Sequence, residues 1–152
     1  MDRAELTKRY MTAAIAAAGI VSAIVFYTVV VEILAGRGYA APLRPPAAYA
    51  LKYGLYILGV SCLALLKLAD RFLPPGDGTP DGELRALTKL AMVKAALCEL
   101  PAVCGLILFL LTGGRADFYM LAVFSLALEI HHFPRLPAWE EKLRGLNGRL
   151  PQ

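Results

Sequence analysis

The chain has 152 residues, of which 58% are hydrophobic and only 18% are charged, and its mean hydropathy is +0.56. This composition is too apolar for an ordinary soluble domain and favours a bundle of helices in a lipid bilayer. The formal net charge is +4, but the basic residues are spread over the ends of apolar runs instead of forming one basic face. The charge pattern therefore predicts no nucleic-acid partner.

Four apolar runs occur in the sequence, at residues 11–35, 47–68, 87–111 and 118–133. A transmembrane helix needs about 20 apolar residues, so we predict four membrane spans. The first run is longer than the apolar core of a secretory signal, which is about 7 to 15 residues, and we expect it to remain uncleaved. The fourth run is short, but the aromatic and histidine residues at its ends suit the membrane interface.

A linker divides the chain into two halves. Residues 73–86 are rich in Pro, Gly and acidic side chains, and they are predicted to form a cytoplasmic linker and the start of the third helix. Residues 1–72 then form a first transmembrane hairpin, residues 87–133 form a second, and residues 134–152 form a cytoplasmic interfacial tail. The predicted fold class is all-α: a polytopic membrane protein with four transmembrane helices in two hairpins.

The two hairpins align as a weak internal repeat when the first span is placed on the third. Duplication around a polar site at mid-membrane is a recurrent design among membrane transport proteins. The aligned pairs are Ala14 with Ala91, Ala18 with Ala95, Ser22 with Glu99, and Gly36 with Gly113. The second and fourth spans align separately at Ser61 and Ser125. The ridge formed by Ala14, Ala18 and Ser22 also predicts that the first span approaches a neighbouring helix closely.

The distribution of basic residues predicts the orientation in the membrane. One side carries Arg3, Lys8, Arg9, Lys67, Arg71, Arg85, Lys89, Arg135, Lys142, Arg144 and Arg149, and the other carries Arg37, Arg44 and Arg115. The positive-inside rule then places both termini in the cytoplasm, in a bacterial-type inner membrane.

The C-terminal tail has the pattern of an amphipathic helix. Leu136, Trp139, Leu143 and Leu146 share one helical face, so the tail is expected to lie along the inner membrane surface. The alternative is a solvated tail that is anchored by the single Trp.

Glu99 is the most informative residue of the chain. It is the only charged residue in the stretch 95–111, and an ionised Glu in the hydrocarbon costs roughly 2.5 to 3.5 kcal/mol. An apolar environment disfavours the charged carboxylate, so Glu99 is a candidate proton-binding or ion-binding site. The alternative is a protonated Glu99 that donates a hydrogen bond to a neighbouring helix for packing alone. Pro101 cannot donate to the carbonyl of Leu97, and it is therefore expected to kink the helix beside the carboxyl.

A polar stripe on the fourth span is a candidate proton relay. Ser125, Glu129 and His132 recur at offsets of four and three residues, and carboxyl and imidazole groups form such relays in pumps. The alternative is that these residues only meet the lipid head groups at the end of the span.

The sequence predicts no metal, no haem or other cofactor, and no enzymatic activity. Cys62, Cys98 and Cys104 lie in apolar runs without a C-x-x-C motif and are interpreted as small apolar residues. The two histidines are adjacent, so they point to different faces of a helix and do not form a bis-His haem site within one chain. Nucleophile, phosphate-loop and zinc motifs do not occur in the sequence.

Residues 96–111, Ala-Leu-Cys-Glu-Leu-Pro-Ala-Val-Cys-Gly-Leu followed by aliphatic residues, resemble the ion-binding helix of the rotary ATPase c-subunit, or proteolipid. Glu99 matches the ion-carrying carboxylate of that family, and Gly105 and Leu106 match the pair that follows it. The Glu-x-Pro-Ala-x-x-Gly-Leu pattern, with Phe-Pro-Arg at residues 133–135, is also similar to small uncharacterised four-span bacterial membrane proteins.

Two functions follow as hypotheses. The first is an integral membrane protein whose carboxyl at Glu99 binds a proton or cation as part of a membrane transport complex. The second is a non-catalytic structural or assembly subunit. The expected partners are the lipid bilayer and either other membrane subunits or further copies of the chain as a homo-oligomer.

The four-span topology predicts opposite locations for the first and central loops. The reporter is an enzyme that is active only outside the cytoplasm. It should be active when fused after Gly38 and inactive when fused after Gly78, because one span lies between the two points. A cytoplasmic reporter at both points is the reciprocal control. Equal signals from the two fusion points would contradict the topology.

Overall fold

A computed structural model describes residues 3–43, 47–73, 76–77 and 79–147. All regular secondary structure in these residues is helical, which confirms the all-α prediction. The five helices are α1 Arg3–Gly36, α2 Ala47–Phe72, α3 Pro80–Thr112, α4 Arg115–His132 and α5 Leu136–Asn147.

Three of these helices are long and apolar enough to cross a membrane, namely α1, α2 and α3. At 1.5 Å per residue, the 33 residues of α3 extend about 50 Å, well beyond a hydrocarbon core of about 30 Å. Helix α4 has 18 residues and includes Arg115, Asp117 and Glu129, so it is less apolar than the other three. The fourth span therefore stays a prediction.

The ends of α3 are defined by local hydrogen bonds. The Thr79 hydroxyl accepts from the backbone N–H of Gly82 at 3.1 Å and donates to Asp77, which caps the first turn. These contacts with Thr79 also hold the pKa of the Asp77 carboxyl below its usual range. At the other end Gly113 has a φ of 73°, the left-handed conformation that ends many helices, and its N–H bonds to the carbonyl of Phe109.

Helix α3 is the centre of the bundle. It packs along α4, α2 and α1, and its first half also contacts α5. The second predicted hairpin is thus a packed pair, whereas α1 and α2 scarcely touch each other and pack on α3 instead. The two halves are therefore not packed alike, which the alignment of small residues in the sequence does not reveal.

Two clusters of buried side chains hold the apolar part of the bundle together, and α3 contributes to both. One lies among α1, α3 and α4 and contains Ile24, Val31, Ala102, Phe109, Phe118 and Ala122. The other lies among α2, α3 and α4 and contains Cys62, Leu66, Cys98 and Leu128. Each cluster joins three helices, so α3 and α4 form the common wall between α1 and α2.

The buried face of α1 is not the one that the sequence predicts. Ala13 and Ala17 are buried, whereas Ala18 and Ser22 of the predicted ridge are exposed. The buried positions continue through Ile24 to Val31, so larger apolar residues select the face that packs on α3 and α4. The alanine-rich sequence contains more than one small-residue ridge, and only the contacts with α3 and α4 distinguish them.

The tail helix α5 covers the ends of α1 and α3 with its apolar face. Trp139 and Leu143 are buried against Leu6, Leu84 and Leu87. The ring of Tyr10 meets that of Trp139 edge-on at 5.9 Å. Part of the apolar face that the sequence assigns to the membrane surface is therefore covered by protein; the side chain of Leu146 lies outside the described residues.

Large apolar side chains cover the outward faces of α1 and α2. The most exposed of them are Ile15, Val25, Phe26, Ile57 and Phe72. Such an extended apolar surface is rare on a soluble monomer, but it suits contact with lipid. This exposure and the three candidate spans are consistent with a membrane protein.

The contact of α3 with α4 predicts that substitution by alanine affects stability differently at two glycines. A Cβ on Gly105 would lie 3.2 Å from the carbonyl oxygen of Phe118 and 3.1 Å from Leu121, whereas a Cβ on Gly59 meets its neighbours at 3.4 Å or more. Gly105→Ala should therefore lower the free energy of unfolding by about 1 to 3 kcal/mol through overpacking. Gly59→Ala, the matched control, should change it little. Thermal unfolding in one lipid system measures both, and equal stabilities would contradict the prediction.

Candidate functional site

Glu99 lies on the side of α3 that faces α1. The phenol of Tyr27 on α1 donates a hydrogen bond of 2.6 Å to its Oε1 atom, and both side chains are half-buried. Ala95 and Ala102 on the same helix are buried, and Ala96 is exposed. The carboxyl group is thus held between two helices and joined to a phenol that the sequence analysis did not identify.

A second carboxyl group lies on the neighbouring helix. Glu129 on α4 is only 2% exposed, and the adjacent Leu128 packs in one buried cluster with Cys98, the residue before Glu99. The Oε2 atom of Glu129 is buried and has no hydrogen-bond partner in the described part of the chain. We call Tyr27, Cys98, Glu99 and Glu129 the carboxyl cluster.

Ser125 stabilises the helix next to Pro101. Pro101 lies inside α3, where a proline interrupts the backbone ladder. The hydroxyl of Ser125 on α4 donates to the backbone carbonyl of Cys98, the residue after Leu97, whose carbonyl is the one that Pro101 leaves without a donor. Ser125 thus joins α4 to the turn of α3 that precedes Pro101. The sequence analysis assigned Ser125 to a proton relay, and the structure places its hydrogen bond on this carbonyl.

His132 also bonds to the backbone. Its Nδ1 atom lies 3.0 Å from the carbonyl oxygen of Leu128, one turn earlier in α4. Of the four candidate residues, the structure therefore brings Glu99 and Glu129 together, while the hydrogen bonds of Ser125 and His132 point to backbone carbonyls. A relay through these groups stays a prediction.

The three cysteines are buried free thiols. Cys62 and Cys98 belong to the cluster between α2, α3 and α4, where they fill space among Leu66 and Leu128. Within the described ranges, no group of three or more His, Cys, Asp or Glu side chains is arranged to hold a metal ion.

Two groups of polar contacts hold the first turns of α4 against α1 and α2. Arg115 forms hydrogen bonds of 2.8 Å to both carboxylate oxygens of Glu32 on α1, and the phenol of Tyr119 donates to the same carboxylate. Asp117 pairs with Lys52 on α2 at 2.8 Å and accepts from the phenol of Tyr56 at 2.9 Å. The start of α4 is thus tied to α1 on one side and to α2 on the other.

Tyr27, Glu32 and Asp117 are the polar residues whose roles were not predicted from the sequence. Tyr27 lies well inside the first apolar run, far from the interface where Tyr is common, and a buried phenol usually has a hydrogen-bond partner. The position of Tyr27 in the sequence therefore indicates a buried hydrogen-bond partner such as Glu99. The partners of Glu32 and Asp117 are distant in sequence, and no local pattern identifies them.

Comparison with known proteins provides no relatives. No family model matches the chain, and no match was found among curated proteins or solved structures.

The hydrogen bond of Ser125 predicts that substitution by alanine affects the stability of the protein differently at two serines. Ser125→Ala removes a buried hydrogen bond between α4 and α3 close to Pro101, and should lower the free energy of unfolding by roughly 0.6 to 2 kcal/mol. Ser22→Ala is the matched control, because the exposed Ser22 hydroxyl bonds only to the Ala18 carbonyl of its own helix. Thermal unfolding of both variants measures the difference. Equal melting temperatures would show that the contact with Cys98 contributes nothing.

Proposed function

We propose that the carboxyl cluster binds a proton or a cation and that the protein is part of a membrane transport complex. The observation that carries the proposal is the buried carboxyl group of Glu129, whose Oε2 atom is unpartnered within the described chain, on the helix that packs along the α3 segment carrying Glu99. Ionisable groups inside an apolar bundle are costly and usually functional.

The chemistry of two adjacent carboxyl groups favours a positively charged ligand. Two like charges at close range repel each other, and an apolar environment strengthens the repulsion. A bound proton or small cation removes part of that charge, and the free oxygen of Glu129 offers it a ligand atom. Tyr27 orients Glu99 from the other side through its 2.6 Å hydrogen bond.

The proline inside α3 supports the same function. Transport proteins often bind ions where backbone carbonyls of a membrane helix are released near the site. Pro101 lies two residues after Glu99 and has no N–H to donate to the carbonyl of Leu97, although α3 continues through it. The resemblance of residues 96–111 to the ion-binding helix of the rotary ATPase c-subunit is in line with this role for Glu99.

The membrane topology that accompanies this function has four spans, with α4 as the fourth and both termini in the cytoplasm of a bacterial-type cell. The ion pairs of Arg115 and Asp117 with α1 and α2 neutralise charges at the start of α4. This pairing lowers the cost of placing that end of the helix near the membrane.

The second candidate is a structural or assembly subunit, and the observation in its favour is the hydrogen bond of Tyr27 to Glu99. A single interhelical bond of this kind stabilises packing whether or not an ion is carried. In that case the carboxyl group serves as a packing contact between α1 and α3.

A carboxyl-reactive hydrophobic carbodiimide tests the proposed site. The wild-type protein in lipid should be labelled at the cluster, and Glu99→Gln should lose the labelling yet fold normally, because the amide preserves size and hydrogen bonding. Glu141→Gln, an exposed position on α5, is the matched control and should keep the labelling. Protection of the wild type by added sodium would identify a cation, and protection only by rising pH would identify a proton.

The same variants separate the two candidate functions. If Glu99 is only a packing contact, Glu99→Gln should remain unlabelled but retain any transport activity of the complex, and Glu99→Leu should lose roughly 0.6 to 2 kcal/mol of stability. If Glu99 carries an ion, both variants should be inactive. A fully active, fully stable Glu99→Leu protein would contradict both functions.

A further inference from the structure

A cationic cleft lies at the end of the bundle where α5 packs. Three walls enclose a cavity of about 300 Å³: the first half of α3, the connection from α4 to α5, and the exposed side of α5. Its polar lining consists of Lys94, His131, His132, Arg135 and Lys142, and none of the residues that line it is acidic. We call these five residues the basic cleft.

The floor of the basic cleft is apolar. Leu87, Leu90 and Ala91 of α3 and Trp139 of α5 line it together with Phe133. Trp139 is itself buried in the cluster that fixes α5 to α1 and α3, so the wall that carries Lys142 is held in place. The cleft thus combines fixed apolar walls with a rim of basic groups.

The position of the basic cleft along α3 matches the boundary of the apolar region. Lys94 immediately precedes the stretch 95–111, in which Glu99 is the only charged residue, while the residues before Lys94 include several charged side chains. The two histidines end α4 at the same level. This is where lipid head groups meet a membrane helix.

Two of the cations in the basic cleft have no carboxylate partner in the described part of the chain. Lys94 is paired with Asp70 of α2 at 2.7 Å, whereas no ion pair involves Arg135 or Lys142. Acidic side chains line two adjoining cavities: Glu141 lines one of them together with Arg135, and Asp70 and Glu83 line the other together with Lys142. Unpaired basic groups beside an apolar wall favour an anionic ligand that also has an apolar part.

We propose that the basic cleft binds the phosphate group of an anionic phospholipid, with Arg135 and Lys142 as its main contacts. Basic pockets between membrane helices on the cytoplasmic side commonly bind such head groups. Arg offers several N–H donors to a phosphate and Lys offers a mobile charge. The apolar floor accommodates the glycerol and first acyl carbons, which a free phosphate ion lacks. This site is separate from the carboxyl cluster and does not depend on the function proposed for it.

Native mass spectrometry of the full chain in mild detergent tests the proposal. Phosphatidylglycerol is titrated against phosphatidylcholine, which has the same phosphate but no net charge. The wild-type protein should bind phosphatidylglycerol preferentially. In the double variant Arg135→Gln/Lys142→Gln, the affinity for phosphatidylglycerol should fall about fivefold for each lost cation, or about 25-fold in all. Lys67→Gln/Arg71→Gln, the matched control, removes two exposed charges from α2 that do not line the cleft, and should retain wild-type affinity.

Three outcomes would overturn the proposal: equal affinity for the two lipids in the wild type, an equal loss in both double variants, and displacement of the lipid by a molar excess of inorganic phosphate. The last would identify a free-phosphate site. The melting temperature of each variant is measured in parallel. If the double variant unfolds, the single variants Arg135→Gln and Lys142→Gln give the same comparison, each with an expected loss of about fivefold.

Discussion

The structure depends on the need to satisfy polar groups that lie inside an apolar bundle. A carboxyl or carbonyl group without a partner is costly in such an environment, and here the partners come from other helices. Tyr27 of α1 bonds to Glu99 of α3, and Ser125 of α4 bonds to the carbonyl of Cys98. These contacts lie on the faces of α1 and α4 that their apolar residues pack against α3.

Helix α3 is the common element of these contacts, and its central position explains why the carboxyl cluster forms where it does. It carries Glu99, Cys98 and Pro101 within one turn and packs along α1, α2 and α4. Gly105 lets α4 approach closely at Phe118 and Leu121, about two turns before Glu129 on the same helix. The packing that stabilises the bundle and the polar site proposed for ion binding therefore lie on the same pair of helices.

The two ends of the bundle have different polar organisation. At one end Arg115 and Asp117 are paired with Glu32 and Lys52, so the charges there are largely neutralised within the protein. At the other end α5 seals an apolar cluster, while the basic cleft beside it keeps cations available. Paired charges hold helices together, and unpaired charges at a lipid boundary attract anionic ligands.

The sequence by itself determined the helical class, the presence of apolar helices long enough to cross a membrane, and Glu99 as the unusual charge, because length, composition and one isolated carboxylate are properties of local segments. The fourth predicted span stays a prediction. Only the tertiary structure decided the rest. The sequence marks Glu129 as part of a polar stripe that is either a relay or a span end, and the structure shows that its carboxyl group is buried. The phenol of Tyr27 bonds to Glu99 across 72 positions of the chain. The buried face of α1 was mispredicted, because small residues occur all round that helix and only contacts with α3 and α4 select one side. Such choices depend on pairs of residues distant in sequence, which no local pattern contains.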